Sequence, residues 1–253
     1  MALELGHEFL ARMGKTRLRP GGVDATDWLI EQANFRPDMK VLEVACNMGT
    51  TMIQISGRYG CHFTGLDLSE EALSHARENI KAAGLEDKID LVQGSAFELP
   101  FEDNSFDVVI NEAMLTMLLG DKKDLALSEY HRVLKPGGLL LTHDVYITER
   151  GLELGQDLLA GLSRAINMTV EPLPLYTWKD KIESHGFTTT QKYGPMTLMK
   201  PEGMIHDEGE ERAKMILANA HKEENLPMFT KMFEFFTSND DNVEYVANFS
   251  IKK

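Results

Sequence analysis

Two acidic side chains and the short loop between them are the first residues of this sequence to which chemistry can be assigned. Glu43 lies in the apolar stretch Val41–Val44, and Asp67 closes a second apolar stretch 24 residues later. The loop Ala45–Gly49 leads into a run with helical apolar periodicity. A loop that opens a helix directs backbone N–H groups at an anion, and an acid about 20 residues further on commonly holds ribose hydroxyls. The pattern predicts a ribose-binding role for Asp67; the alternative is that Asp67 only caps a turn.

A second group of ionisable residues follows later apolar stretches, where a general base can stand. Glu112 follows the stretch Phe106–Asn111, and His143 and Asp144 lie near the end of Leu139–Val145. Such groups can take a proton from a nucleophile that lies within hydrogen-bond reach. We therefore name all three as candidate catalytic residues. The alternative for His143 and Asp144 is that they are hydrogen-bonded residues at a strand end.

Strand-like and helix-like segments alternate along residues 40–145, and these elements must position the acids. The alternation is typical of a doubly wound parallel sheet, in which ligands bind at the carboxyl ends of the strands. The predicted strands are Lys40–Ala45, His62–Asp67, Ile89–Gln93, Phe106–Asn111 and Leu139–Val145. The predicted helices run from Gly49 to Arg58, from a cap at Ser69 to Gly84, and over Asp121–Leu134.

After residue 150 the pattern changes to helices over 150–168 and 178–185, a strand over 187–193, two helices over 201–236 and a last strand over 243–251. We predict an α/β fold: a Rossmann-like, doubly wound, mostly parallel seven-stranded sheet with helices on both faces and a helical cap inserted before the last strand. We expect a single domain. Its parts are N-terminal lid helices (1–35), a cofactor-binding core (38–146), a substrate cap and insertion (150–240) and the last strand (243–253).

Composition and charge limit the classes of function. The 253 residues carry a formal net charge of −14, which disfavours nucleic-acid binding because that needs a basic face. No apolar run reaches the roughly 18 residues of a membrane span. The N-terminus lacks the pattern of a signal sequence, and the two cysteines form no metal-binding spacing. We therefore expect a cytoplasmic monomer or homodimer that acts on a small molecule and holds no metal.

Four cations lie within eight residues near the N-terminus, at Arg12, Lys15, Arg17 and Arg19. They can receive an anionic substrate or the carboxylate of a cofactor. Because isolated surface charges usually contribute little, we expect instead a solvated face on a short helix that is followed by a mobile loop.

Four segments of the sequence occur in the same order as the motifs of a known family. They are Val-Leu-Glu-Val-Ala-Cys-Asn-Met-Gly at 41–49, Thr-Gly-Leu-Asp-Leu-Ser at 64–69, Gly-Ser-Ala-Phe-Glu-Leu-Pro-Phe-Glu-Asp-Asn-Ser-Phe-Asp at 94–107 and Arg-Val-Leu-Lys-Pro-Gly-Gly at 132–138. Together they resemble the signature of class I S-adenosylmethionine-dependent methyltransferases, in particular the small-molecule branch that includes ubiquinone and menaquinone C-methyltransferases. The resemblance covers about residues 38–146 and implies S-adenosyl-L-methionine as the cofactor.

Carried over by position, the resemblance implies where the cofactor lies. The loop Ala45–Gly49 would line the methionine part, Asp67 would hold the ribose hydroxyls, and Leu68 would pack on the adenine. Ser95, Ala96 and Phe97 would surround the adenine edge, while Asn111 and Glu112 would flank the methionine amino group and the reacting methyl. The implied cofactor-binding residues are Glu43, Ala45, Cys46, Asn47, Gly49, Thr50, Asp67, Leu68, Ser95, Ala96, Phe97, Asn111 and Glu112.

The sequence departs from the family pattern at three positions. The first loop of the family usually reads Gly-x-Gly-x-Gly, and Ala45 and Asn47 stand at the first two glycine positions. Asn is the non-glycine residue that best tolerates a left-handed backbone, so we expect Asn47 to keep the turn. Ser95 stands where an acid is commoner, and a neutral hydroxyl should hold adenine more weakly than a carboxylate does.

We predict S-adenosylmethionine-dependent methyl transfer to a small, partly apolar molecule. The acceptor atom stays open among carbon, oxygen, nitrogen and sulfur. One alternative is a non-catalytic S-adenosylmethionine-binding module of the same fold. Another is a nicotinamide-dependent dehydrogenase, which is disfavoured because no Gly-x-Gly-x-x-Gly opens the first helix of the core. The methionines suit either an adaptable apolar pocket or an irregular core, in particular Met114, Met117, Met196, Met199 and Met204.

Overall fold

Eight strands form one sheet at the centre of the computed structural model, which describes residues 4–253. They are β1 (Lys40–Val44), β2 (His62–Asp67), β3 (Ile89–Gln93), β4 (Phe106–Glu112), β5 (Leu134–Ile147), β6 (Leu173–Pro174), β7 (Phe187–Pro195) and β8 (Val243–Lys252). The order is β3-β2-β1-β4-β5-β8-β7, and the two-residue β6 pairs with β5. Strands β1 to β5 pair in parallel, whereas β8 runs antiparallel to β5 and β7.

Ten α-helices and one short 3-10 helix accompany the sheet within residues 4–253. They are α1 (Gly6–Met13), α2 (Gly22–Ala33), α3 (Thr50–Tyr59), α4 (Glu70–Ala83), α5 (Lys122–Val133), α6 (Glu149–Ile166), α7 (Leu175–Ser184), α8 (Pro201–Glu208), α9 (Glu210–Ala220), α10 (Leu226–Ser238) and the 3-10 helix Leu115–Met117. Helices α8 to α10 lie between β7 and β8, which confirms the predicted fold with its inserted cap. The sheet has eight strands instead of the seven predicted, because the two-residue β6 pairs with the end of β5. The insertion holds three helices instead of the two predicted, because the backbone of Gly209 leaves the helical region (φ 80°, ψ 158°).

Local residue choices explain where the core elements begin and end. Ser69 accepts a hydrogen bond from the Ala72 N–H over 3.2 Å and so caps α4, while Gly84 ends that helix with a φ of 66°. Val41 and Leu42 have adjacent positions in β1, so their side chains point to opposite faces of the sheet, yet neither is exposed to solvent. Both faces of the sheet are therefore covered, as a parallel sheet requires.

One cluster of buried apolar side chains, the cap cluster, joins the N-terminal helix to the inserted cap. Phe9 and Met13 of α1 pack in one cluster with Met204, Ile216 and Met232 of the cap. The N-terminal segment is therefore stabilised by burial against the cap as well as by the sheet. The first three residues of the predicted lid lie outside the described residues. No helix within residues 4–253 is both long and apolar enough to cross a bilayer.

Two of the four N-terminal cations are buried and paired, so the predicted solvated face is wrong. Lys15 and Arg19 are 1% and 7% exposed. The Nζ of Lys15 lies 3.4 Å from Asp207 Oδ2, and Glu208 Oε1 accepts a hydrogen bond from the backbone N–H of Arg17 over 2.9 Å. Because these acids belong to α8, far away in the chain, the local sequence contains no sign of the pairing. The loop predicted to be mobile is bonded to the cap.

Close packing at the start of α6 leads to a stability prediction. A Cβ on Gly151 would lie 2.2 Å from the backbone oxygen of Asn242. We expect Gly151→Ala to lower the free energy of unfolding by roughly 1–3 kcal/mol, because overpacking forces the backbone apart. The control is Gly57→Ala in α3, where a new Cβ would meet nothing closer than 3.9 Å. Ala favours a helix interior over Gly by about 1 kcal/mol, so this variant should be more stable than the wild type. Urea unfolding measures both changes, and equal stability of the two variants would contradict the packing described.

Candidate active site

The loop after β1 is a tight turn that reaches the end of β2. Ala45, Asn47 and Gly49 have φ values of 58°, 47° and 77°, so the prediction that Asn47 keeps the turn is confirmed. A left-handed backbone costs a non-glycine residue such as Ala45 roughly 1–2 kcal/mol. The N–H of Asn47 donates to Asp67 Oδ2 over 2.9 Å, and the N–H of Ser69 donates to Asp67 Oδ1 over 2.9 Å. The carboxylate of Asp67 therefore fixes the loop and the start of the next helix together.

A cavity of about 820 Å³, the large cavity, lies at the ends of β1, β2 and β4. Its volume falls within the range of roughly 300–1,000 Å³ that is usual for small-molecule sites. It brings together seven of the predicted cofactor-binding residues: Glu43, Ala45, Cys46, Asn47, Thr50, Asp67 and Glu112. The side chains of Glu43, Asp67 and Glu112, which were predicted at the ends of three different strands, therefore border the same cavity.

The other predicted cofactor-binding residues do not line the large cavity; they are Gly49, Leu68, Ser95, Ala96, Phe97 and Asn111. Leu68 and Phe97, which were expected at the adenine, are 74% and 37% exposed. Asn111 is buried within the sheet, where its Nδ2 donates to the backbone oxygen of Val44 over 2.9 Å. The adenine end of the predicted site is therefore open to solvent, and Asn111 joins β4 to β1.

Glu112 stands at the centre of a buried polar network. The Nε of Arg19 lies 2.9 Å from Glu112 Oε2. The hydroxyls of Thr26 and Thr51 donate to Oε1 over 2.7 Å and to Oε2 over 2.9 Å. Burial alone would raise the pKa of Glu112, but the charge of Arg19 and the hydrogen bonds from His143 and Thr26 lower it to about 2. Glu112 is therefore ionised and well supplied with partners.

His143 is fully buried beside Glu112, and both of its ring nitrogens are engaged. Its Nε2 accepts a hydrogen bond from the Gly21 N–H over 2.9 Å, and its Nδ1 lies 3.3 Å from Glu112 Oε1. Because Nε2 is an acceptor, the ring proton is on Nδ1 and faces Glu112. Burial lowers the pKa of His143, so the ring is neutral. His143 lines neither the large cavity nor the smaller one described next.

Asp144 borders a second cavity, the small cavity, of about 80 Å³. Its Oδ1 accepts hydrogen bonds from the N–H and the hydroxyl of Thr116, over 2.8 and 2.7 Å. Its Oδ2 is buried and has no hydrogen-bond partner within residues 4–253. Burial raises the pKa of Asp144 to about 7, although the hydrogen bonds from Thr116 oppose the shift. One carboxyl oxygen of Asp144 is thus buried without a hydrogen-bond partner among the described residues.

The rest of the small cavity is mainly apolar. Large apolar side chains from the N-terminal segment, the sheet and the cap form its wall: Leu10, Leu18, Met117, Val145, Leu162, Ile166, Met168, Val170, Met196, Leu198, Met232 and Phe236. Met114 lines only the large cavity, and Met117 lines both. Met199 and Met204 are buried in the apolar cluster that joins α1 to the cap. The methionines therefore serve both of the predicted purposes, pocket and core.

Sequence reasoning missed the contribution of the N-terminal segment to the site. This segment supplies eight residues to the wall of the large cavity: Glu4, His7, Glu8, Ala11, Arg12, Thr16, Leu18 and Arg19. The cation cluster was the one available signal, and we interpreted it as a solvated face. The pairing of Arg19 with Glu112 joins residues 93 positions apart, so it has no local pattern.

The buried Glu43 carboxyl leads to a prediction about pH. Its Oε2 has no hydrogen-bond partner within residues 4–253. Burial, together with the charge of Glu112, raises the pKa of Glu43 from 4.5 to about 8. Between these two pH values the folded protein holds a proton that the unfolded chain releases. Glu43 therefore lowers the free energy of unfolding as the pH rises through that window.

Glu43→Gln removes this titration with little change of shape. We expect its free energy of unfolding to fall less than that of the wild type between about pH 5 and pH 8. Asp144 has a raised pKa too, and its contribution remains in both proteins. Urea unfolding across this range measures the difference, with the exposed Glu86→Gln as the control that should follow the wild type. Parallel curves for Glu43→Gln and the wild type would contradict the raised pKa.

Comparison with known proteins shows a methyltransferase domain in this chain. Residues 41–138 match a family model described as a methyltransferase domain. An uncharacterized protein of Haemophilus influenzae (strain ATCC 51907 / DSM 11121 / KW20 / Rd) is 51% identical over 245 residues, which are 96% of each chain. Demethylmenaquinone methyltransferase of Staphylococcus aureus (strain MRSA252) is 40% identical over 117 residues, or 45% of this chain and 46% of that protein. The chain spans less than half the length of the curated methyltransferases that it matches.

The solved structures show the same fold. Geranyl diphosphate C-methyltransferase from Streptomyces coelicolor A3(2), in complex with Mg²⁺, geranyl-S-thiolodiphosphate and S-adenosyl-L-homocysteine, has a TM-score of 0.67 at 14% identity. The match covers 91% of this chain and 75% of that one. The first loop and the ends of β1, β2 and β4 all lie within the matched domain. Residues 41–138 are therefore a methyltransferase domain, and the chain has the fold of the solved methyltransferase.

Proposed function

We propose that this protein transfers a methyl group from S-adenosyl-L-methionine to a small, partly apolar molecule. The observation that carries the proposal is that the polar large cavity and the apolar small cavity share part of their walls. The shared residues are His7, Leu18, Ala113 and Met117. A cofactor in the large cavity and a substrate in the small one would meet at this shared wall.

The residues of the large cavity fit the cofactor. Asp67 presents a carboxylate that suits a ribose diol, and the loop Ala45–Gly49 suits the methionine part. The buried Glu43 Oε2, which has no partner within residues 4–253, suits the amino group of the methionine. Leu68 and Phe97 are exposed where an adenine ring would gain apolar cover. When bound, the cofactor supplies a methyl group on a positively charged sulfur.

We assign different roles to the three candidate catalytic residues. Glu112 borders the large cavity and is held by Arg19, so it would flank the methionine amino group. Both nitrogens of His143 are occupied, so it would position Glu112 and Gly21. Asp144 lines the small cavity, and its carboxyl would accept a hydrogen bond from the substrate. Such a contact would fix the substrate in line with the methyl group, at the roughly 3–3.5 Å that transfer requires.

The remaining predictions about the whole protein stay proposals. The chain would act as one domain, with residues 1–35 as a lid, 38–146 as the cofactor core, 150–240 as the cap and 243–253 as the last strand. The free, buried thiols of Cys46 and Cys61 are consistent with a reducing, cytoplasmic compartment. The net charge of −14 supports a small-molecule substrate over a nucleic acid. We retain monomer or homodimer as the expected state.

Asp67→Ala tests the ribose role of the strand-end acid. We expect it to weaken the binding of S-adenosylmethionine by at least about tenfold, because charge-assisted hydrogen bonds to the ribose hydroxyls are lost. Isothermal titration calorimetry measures the affinity. Because Asp67 also holds two backbone N–H groups, Asp67→Asn is measured beside it, and thermal unfolding checks the fold of both. The exposed Asp87→Ala is the control, and wild-type affinity in Asp67→Ala would contradict the assignment.

The same calorimetry tests the proposed function itself. The wild type should bind S-adenosylmethionine and S-adenosylhomocysteine, and absence of binding of both at millimolar concentration would rule the function out. Release of S-adenosylhomocysteine that depends on an added small molecule separates an enzyme from a non-catalytic binding module.

A further inference from the structure

His7 is the ionisable residue that the two cavities share. The other shared residues are Leu18, Ala113 and Met117, and none of them has an ionisable side chain. Ala113 has a φ of 57°, and such strained conformations cluster at functional sites. The place where a methyl group would pass from one cavity to the other is therefore bordered by an imidazole on α1.

The surroundings of His7 keep its ring neutral. Burial lowers the pKa of His7 below its ordinary value of 6.5, against the smaller opposing effects of the Glu8 and Asp67 carboxylates. No hydrogen bond from another described residue contributes to this shift. The further ionisable residues on the walls of the two cavities are Glu4, Arg12, Arg19, Glu43, Cys46, Glu71, His75, Glu112 and Asp144. A neutral ring that has no hydrogen-bond partner among residues 4–253 can accept a proton from a ligand.

The small cavity suits a small, neutral molecule with a hydrogen-bond donor. Its volume of about 80 Å³ corresponds to roughly five to eight water-sized groups of about 10–15 Å³ each. No Lys or Arg of the described chain lines it, so an anionic group would be buried there without a partner. Its wall does contain groups that can accept hydrogen bonds, namely the Asp144 carboxyl, the His7 ring and the Thr116 hydroxyl, and the hydroxyl is already bonded to Asp144 and to the Val145 N–H. Apolar side chains surround the rest.

We infer that His7 is the general base of the transfer and that the substrate is a neutral molecule whose acceptor atom is the oxygen of an O–H group or the nitrogen of an N–H group. This inference rests on the proposed function. The acceptor atom bonds to the methyl carbon while the carbon–sulfur bond breaks, and the positive sulfur becomes a neutral thioether. The proton of the acceptor passes to His7, and the resulting imidazolium releases it to solvent.

Binding of three probes of equal size tests the substrate class. Phenol and aniline carry a donor, and toluene lacks one. Calorimetry first measures the affinity of the wild type and of His7→Leu for S-adenosylhomocysteine, so that each protein can be saturated with it. Each probe is then titrated into the protein saturated with S-adenosylhomocysteine. We expect the wild type to bind phenol or aniline about fivefold more tightly than toluene, and His7→Leu to lose this preference.

Formation of S-adenosylhomocysteine from S-adenosylmethionine tests the base. With phenol or aniline present, the rate should fall by about 100-fold or more in His7→Leu, because a positioned base contributes 10²–10⁴-fold. The exposed His221→Leu, at the end of α9, is the control and should keep the wild-type rate. Thermal unfolding checks each variant, and His7→Gln replaces His7→Leu if the latter does not fold.

The outcomes separate the two proposals. A wild type that binds neither S-adenosylmethionine nor S-adenosylhomocysteine overturns the proposed function. If S-adenosylhomocysteine binds, three results overturn the role of His7 and the substrate class alone: no donor preference in the wild type, no product formation that depends on phenol or aniline, or an unchanged rate in the His7 variant.

Discussion

The buried ion pair between Arg19 and Glu112 is the contact on which the architecture of the site depends. It joins the N-terminal segment to the end of β4, and the hydroxyls of Thr26 and Thr51 attach α2 and α3 to the same carboxylate. His143 adds β5 to the group. Removing one partner of a buried pair costs roughly 3–5 kcal/mol, because the other charge is left in the interior without compensation. The wall of the large cavity is therefore complete only while the N-terminal segment stays in place.

A second buried pair connects the same segment to the cap. Asp207 of α8 pairs with Lys15 and accepts a hydrogen bond from the Val23 N–H at the start of α2, over 2.9 Å. A Cβ on Gly22 would lie 2.2 Å from Asp207 Oδ1, so the Asp207 carboxylate can lie this close to α2 only because residue 22 is a glycine. The N-terminal segment thus bonds to the core on one side and to the cap on the other. This explains how residues from the start of the chain reach both cavities.

The features that could be predicted from the sequence depend on interactions between residues that are close in the chain. The features that were missed depend on contacts between distant residues. The alternation of strands and helices, the Ser69 cap, the Gly84 stop and the left-handed Asn47 follow from local residue preferences, and the structure contains all of them. The burial of Lys15 and Arg19 depends on acids from distant parts of the chain. Periodicity and motif spacing are local properties, so they describe the sheet and its loops well. They contain no information on which distant segment closes the site.

In the proposed site, the large cavity holds the methyl donor and the apolar small cavity holds its acceptor. A crystal structure of the protein with bound S-adenosylhomocysteine tests this division most directly. We expect the ribose hydroxyls within hydrogen-bond distance of Asp67 and the sulfur directed at the wall formed by His7, Ala113 and Met117. A product bound with its sulfur away from that wall, or with its ribose away from Asp67, would contradict it.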